Sequence, residues 1–417
     1  MNPEPLAPFV DLFAIGDAEE ILPQLLEAYR NSKHKRLSKE DALLEMAQVP
    51  GVYVPRLHQV DYDPQGGIRR FSPVIPGISR TQRAVAMDIS RVVPCSRIVS
   101  PHTQFPSMFL VEISRGCPRR CRFCAAGHVL RPVRHRSWED LAPVVTEGLR
   151  LSRRIGLISS CVGDHPQIDA ICKQILSMGG SISPASLRVD ALTDGLLHAI
   201  HRSGVRTVSL APEAGSWRLR KLIGKPISDE QILDGVRRLV EVSISSLRLY
   251  FMVGLPTETL SDIDAIVELT KRIGHVVRRA TRGGSLERLT LSVNSFVPKP
   301  TTPFQFHPME EAGQLKSRIR RLMKSLKGDR RVRVIFEPPK WSRIQALLSL
   351  GDRRLAPVML EVSKGKSWEE ALKEFNINAD FFVHRRRPLD EILPWEIIDH
   401  GIPKEELWDA YRRATDD

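Results

Sequence analysis

Residues 114–127 read Ser-Arg-Gly-Cys-Pro-Arg-Arg-Cys-Arg-Phe-Cys-Ala-Ala-Gly and set Cys117, Cys121 and Cys124 in a C-x3-C-x2-C spacing. Three thiols this close in a loop can converge on one inorganic centre. They are too few to close a four-coordinate structural zinc site unaided. On a four-iron cluster, three cysteines leave one iron open to a non-protein ligand, whereas electron-transfer clusters usually take four cysteines. The preceding run, Met108–Ile113, is apolar and partly β-branched, which predicts a strand. Gly116 and Pro118 then mark a turn. The motif therefore falls at the carboxyl end of a strand, where β/α barrels build their active sites.

Further segments follow in order along the chain: Ala-Pro-Glu-Ala-Gly at 211–215, Tyr-Phe-Met-Val-Gly-Leu-Pro-Thr-Glu-Thr at 250–259, and Asn-Ser-Phe-Val-Pro-Lys-Pro-Thr-Thr-Pro-Phe-Gln at 294–305. Together with the cysteine spacing and Phe123 before its last cysteine, they resemble the radical S-adenosylmethionine (radical SAM) superfamily. The likeness is to the branch that commonly carries an N-terminal cobalamin-binding domain. It covers about residues 105–306. The resemblance implies a 4Fe–4S cluster on Cys117, Cys121 and Cys124, S-adenosylmethionine on its open iron, and an external reductant such as flavodoxin or ferredoxin.

Other uses of the cysteines make different demands. A zinc knuckle needs a fourth ligand, for which His128 or His135 is available. A disulfide framework is excluded, because six cysteines in 417 residues are sparse and no secretory signal precedes them. Cys95, Cys161 and Cys172 are expected as small buried hydrophobes. Of these, Cys161 is placed to line the mouth, at the end of the second expected strand.

Hydrophobic residues make up 42% of the chain and charged residues 27%, an ordinary globular balance with chain enough for a large core. No apolar run approaches the ~20 residues a membrane span requires. The acidic, proline-rich start lacks the basic-then-apolar order of a signal peptide. Unpaired thiols and an oxygen-sensitive cluster point to a reducing cytoplasm. The net charge of +13 suits a solvated basic face first, and RNA or another anionic substrate as the sharper alternative. Against RNA, aromatics are only 6%, thin for the stacking platforms of single-strand binders.

Residues 1–50 are expected to be a short α/β remnant of a cobalamin-type domain, with a strand over 9–15 and a helix opened by Gly16-Asp17. The preceding strands and a D-x-H-x2-G segment are absent from this sequence, so cobalamin binding is not expected of this chain alone. Residues 51–104 form a connector with a Gly-Gly turn. Over 105–306 strand and helix signals alternate, which predicts parallel β/α architecture. The fold class is α/β: a partial (β/α)6 TIM-like barrel, with strands near 108–113, 157–162, 182–189, 206–210, 247–253 and 289–296. Residues 307–417 read as a mainly helical extension.

The resemblance also assigns the strand ends. Gly163 and Asp164 follow strand two, where relatives carry a glycine-rich acidic turn for the methionine amine, although Cys-Val-Gly-Asp departs from Gly-Gly-Glu. Ser186 and Arg188 share a face at the end of strand three, and Arg188 could clamp the methionine carboxylate through two charged hydrogen bonds. A structural ion pair is its alternative. Glu213 is a candidate for the amine or the ribose hydroxyls, and Gly254 for close backbone approach to adenine. Lys299 faces the same mouth. The expected activity is reductive cleavage of S-adenosylmethionine to a 5′-deoxyadenosyl radical that abstracts hydrogen from, or supports alkylation of, an unidentified substrate. The alternative is an iron–sulfur electron-transfer or RNA-binding protein without radical turnover.

Overall fold

The computed structural model describes residues 2–76, 80–184, 187–281, 286–329 and 331–416. Its centre is a set of parallel strands in two sheets. The first sheet orders β3 (Ser181–Pro184), β2 (Arg154–Ile158) and β1 (Phe109–Glu112). The second runs β4 (Thr207–Glu213), β5 (Ser246–Val253), β6 (Arg288–Ser295) and β7 (Val332–Phe336). A parallel bridge between Leu187 and Leu210 joins the two sheets, whereas β7 and β1 are not paired with each other.

Most of the return helices start at a side-chain cap. Ser137 and Asp140 form a capping box for α1 (Trp138–Leu151), Ser228 and Gln231 one for α4 (Asp229–Glu241), and Thr259 and Asp262 one for α5 (Leu260–Ala280). α2 (Ile168–Ser177) has no side-chain cap, and α3 (Asp194–Arg202) is capped by Thr193. Strand side chains alternate between two environments. In β5, Leu249, Phe251 and Val253 are buried, while Tyr250 and Met252 between them are half-buried. α5 seals this layer with Ile263, Ile266, Leu269 and Ile273.

The expected six strands are present and a seventh joins them. The strand beginning at Val332 pairs in register with Leu289–Val293 and extends the barrel past 306. β2 ends before Cys161, because Ser159 Oγ accepts the Cys161 N–H (3.2 Å) and turns the chain out of the ladder. β3 is described over Ser181–Pro184; residues 185 and 186 of the expected strand lie outside the described residues, and Leu187 beyond them makes an isolated parallel bridge to Leu210. β4 instead runs on to Glu213 through a register shift after Leu210.

Ahead of the barrel, helices Ala18–His34 and Lys39–Ala47 pack around Ile21, Leu43 and Met46. The expected strand over 9–15 shrinks to Phe13–Ala14, preceded by a 3-10 turn over Glu4–Phe9. Asp17 holds this unit to the start of the barrel through Arg134, Arg115 and the Ala86 N–H. At its other end Asn2 donates to Ser349 O (3.0 Å) and Gly351 O (2.7 Å). Buried Glu4 accepts from Tyr53 (2.5 Å) and Arg353 (2.8 Å). The hairpin His58–Tyr62/Ile68–Pro73 occupies the connector. After β7 come α6's successors, short helices from Pro339 to Thr415; α6 itself (Ala312–Leu326) connects β6 to β7. Among the described residues no helix is long and apolar enough to cross a membrane.

Candidate active site

The cysteine loop is closed at its base, where Ser114–Arg115 pairs with Arg134–His135. Gly116 has φ +93°, and a Cβ there would lie 2.5 Å from Leu130 O, so only glycine suits the turn. Two backbone hydrogen bonds tie the loop across the mouth: Arg122 N–H to Ile223 O (2.8 Å), beyond β4, and Phe304 N–H to Arg122 O (3.1 Å), beyond β6. Cys121 is buried, and Cys117 and Cys124 are half-buried; none is in a disulfide. Burial pushes the Cys117 and Cys121 thiols up, and negative charge on the neighbouring cysteines adds to it. Lys225 and Arg188 act against this at Cys121.

This donor set fits a cluster better than a single metal ion. Among the described residues no three His, Cys, Asp or Glu side chains converge closely enough for one ion. A cluster asks for less convergence, because each thiolate binds a different iron. The histidines available to a zinc knuckle face elsewhere: His128 Nε2 contacts Cys121 O (3.2 Å) and His135 Nδ1 contacts Ser114 Oγ (2.9 Å).

Beside the loop, the ends of β2 and β3 meet in a chain of charges. Arg119 donates to Asp164 through two nitrogens (2.6 and 3.0 Å) and reaches Asp190 (3.3 Å). Arg188 directs Nε and one terminal nitrogen to Asp190 (both 2.9 Å), so the fork expected to meet a ligand carboxylate meets Asp190 instead. Burial opposes ionisation of Asp164, but hydrogen bonds from Arg119 and the Cys161 thiol outweigh it and hold the carboxyl below its ordinary range. Burial and Asp164 together push the Cys161 thiol up to about 12. Cys161 and Cys172 are buried as expected, while Cys95 is half-buried.

Gly163 has a packing reason as well: a Cβ would lie 2.1 Å from Ala191 O, wedging apart the turns after β2 and β3. Ser186 lies outside the described residues. Gly254 has φ +82°, and its N–H is taken by Glu258 (2.7 Å). Glu213 ends β4 in the left-handed region (φ +70°), a strained place for a side-chain-bearing residue, and pairs with buried Lys225 (3.1 Å).

The ends of β4, β5 and β6 surround a cavity of about 570 Å³, with Phe123 of the cysteine loop on its wall beside Glu213, Tyr250 and Phe296. Lys299 also lines it, together with Glu337 and Gln345 from beyond β7. The sequence reading missed Arg119, Asp190 and Lys225 as partners of the expected residues. Arg119 sits inside the cysteine motif and was legible only as one more charge there. Asp190, two residues after Arg188, is the nearest acid in sequence and was the available signal.

Residues 111–270 match the family described as the radical SAM superfamily, and residues 1–55 match radical SAM proteins, N-terminal. The chain belongs to the radical SAM superfamily. The cofactors of that family are a 4Fe–4S cluster and S-adenosylmethionine, as expected from the sequence. An uncharacterized protein of Methanocaldococcus jannaschii is 35% identical over 283 residues, covering 67% of this chain and 60% of the relative. An uncharacterized methyltransferase of Pyrococcus horikoshii is 27% identical over 172 residues (39% of this chain, 37% of the relative). The ribosomal protein uS12 methylthiotransferase RimO of Thermotoga petrophila is 27% identical over 178 residues (39% and 41%). The chain thus spans less than two thirds of the length of these relatives.

Proposed function

We propose that the chain is a radical SAM enzyme in which Cys117, Cys121 and Cys124 ligate a 4Fe–4S cluster and the barrel mouth holds S-adenosylmethionine against it. When bound and reduced by an external donor such as flavodoxin or ferredoxin, this pair supplies a 5′-deoxyadenosyl radical for hydrogen abstraction or alkylation. The chain's own residues hold and orient. The loop is fixed by its bonds to Ile223 and Phe304. Arg188 and Lys225 supply positive charge toward the thiolates. Phe123, beside Cys124 in the loop, walls the cavity with Glu213 and Tyr250; Gly163 lets the turns after β2 and β3 pack together, and Gly254 makes the turn after β5. The Arg119–Asp164–Asp190–Arg188 chain is read as a scaffold that keeps the turns after β2 and β3 in place. Methyl or methylthio transfer is the reaction class the relatives' names suggest.

The observation that carries this reading is the tethered three-cysteine loop, whose Phe123 lines a cavity at the carboxyl ends of the barrel strands. An electron-transfer cluster would want a fourth thiolate. Of the other three cysteines, Cys161 is engaged with Asp164, Cys172 lies in the core and Cys95 packs against it. Anaerobic reconstitution tests the reading. The wild-type chain should take up about four irons, lost when all three motif cysteines become alanine while circular dichroism is unchanged. Strong reductant with S-adenosylmethionine should release methionine and 5′-deoxyadenosine. Iron retained by the triple variant would defeat the ligand assignment; a reducible cluster that leaves S-adenosylmethionine intact would favour electron transfer.

A further inference from the structure

The cavity beside the cysteine loop contains several charged side chains, and they differ in one respect. Glu213 is engaged by Lys225 (3.1 Å). Glu337 accepts from Gln345 Nε2 (2.9 and 3.1 Å). Lys299 alone among the described charged side chains of this wall has neither a hydrogen bond nor an ion pair, and Glu337 only attracts it from a distance. Lys299 is half-buried and shares this wall with Tyr250, Val297 and Met252, where partial desolvation makes a counter-charge worth more than in water. Burial accordingly lowers its proton affinity, with Glu337 offsetting part of the effect. Pro298 and Pro300 flank it and restrict the backbone, so the amine is held at the wall by a stiff segment.

We propose that Lys299 is the anion-recognising residue of a substrate subsite, and that the substrate is an organic molecule with an apolar, ring-stacking body and one carboxylate or phosphate end. The proposal rests on reading this mouth as the reaction site. The strand order β4-β5-β6-β7 separates the two ends of the cavity. Phe123 belongs to the cysteine loop and Glu213 to the end of β4, whereas Lys299 follows β6 and Glu337 follows β7. A cofactor held by the cysteine end leaves the Lys299 end for a second molecule. The body would lie against Tyr250 and Met252, which are half-buried on this wall, and the acid end would meet the amine. A volume of about 570 Å³ falls within the range of ligand pockets.

The test uses the full reconstituted chain and a readout other than turnover. Lysines are acetylated briefly with acetic anhydride, and each site is quantified by peptide mass spectrometry. Inorganic phosphate and acetate serve as separate probes, with exposed Lys173 as the internal standard. Saturable protection of Lys299 by phosphate, with Lys173 unaffected, supports the proposal and points to a phosphate ester; protection by acetate supports it and points to a carboxylic acid. In parallel, Lys299→Gln should weaken the anion-induced rise in Tm, with affinity reduced roughly ten- to hundred-fold by loss of one charged hydrogen bond. The proposal is overturned if neither anion protects Lys299, or if S-adenosylmethionine protects it and free anions do not. Because labelling is read on the wild-type chain, a poorly folding variant does not obscure the answer. Iron content measured on the same samples separates failure of this proposal from failure of the cluster assignment.

Discussion

The two halves of the barrel mouth handle charge in opposite ways. Around β1 to β3 the charges face one another: Arg119, Asp164, Asp190 and Arg188 form one connected chain, and Gly163 lets the turns close against Ala191. Around β4 to β7 the strand ends stand apart, aromatic side chains line a cavity, and Lys299 has no ion-pair partner among the described residues. Charges that neutralise one another make a firm support but leave little for a ligand to recognise. A cation left unmatched beside apolar walls weakens the fold locally and gives a ligand something to bind.

The largest expected effect comes from breaking the closed half. Arg188→Ala leaves Asp190 with only the longer contact to Arg119 and should cost about 2–3 kcal/mol in urea unfolding. Arg188→Lys should fall between, since lysine lacks the planar fork. If the alanine variant unfolds like wild type while S-adenosylmethionine affinity collapses, Arg188 serves the cofactor and the contrast between the halves fails.

A second prediction sets the two halves at opposite ends of the pH scale. Asp164 and Asp190 have folded values below the ordinary 3.8, so the stability they contribute is present above 3.8 and lost as pH falls through the lower folded value. Glu258, after β5, is pushed up to about 8 by burial, against the Gly254 N–H and Arg318. Its contribution is fully present below the ordinary 4.5 and is lost as pH rises through 8. Urea midpoints should therefore fall between mildly acidic and alkaline pH, with a limiting slope of about 1.4 kcal/mol per pH unit from this group. Glu258→Gln keeps an acceptor for Gly254 and should flatten that fall. An unchanged slope in the variant would show that Glu258 is not the group responsible.

The smallest effect calibrates the others. Arg97 pairs with Glu147 on the surface (3.3 Å), and Arg97→Ala should change stability by no more than about 0.5 kcal/mol. A loss comparable to that of Arg188→Ala would mean that burial does not govern these pairs.

The parallel barrel was legible because strand and helix signals alternate cleanly and Ser137, Thr193 and Thr259 mark helix starts. The cysteine loop was legible because its ligand set lies within one short stretch. Strand ends were less so. The Ser159 turn acts on one or two residues, below the reach of hydrophobic periodicity. The seventh strand, Val332–Phe336, takes its place beside β6 through pairing, which local pattern does not encode. Partners were least legible. Arg188 and Asp164 could be picked out by position, whereas Arg119, which reaches Asp164 and Asp190 and so joins Arg188 through Asp190, belongs to a different loop of the chain. Lys225 likewise reaches Glu213 only because a tight turn at Gly224 brings it back.

The amino-terminal residues grip the molecule at two distant places, Asp17 at the cysteine strand and Asn2 and Glu4 beyond β7. These places flank the seam where β7 and β1 remain unpaired. The segment therefore acts as a girdle: the barrel's aperture cannot widen along that seam without loosening one grip or the other. Large-molecule access to the mouth and solvent exchange at the Tyr53 and Ala86 amides should then rise and fall together. In Glu4→Gln, which removes the charge holding Arg353, hydrogen exchange ought to quicken at both ends of the girdle rather than at its own end alone.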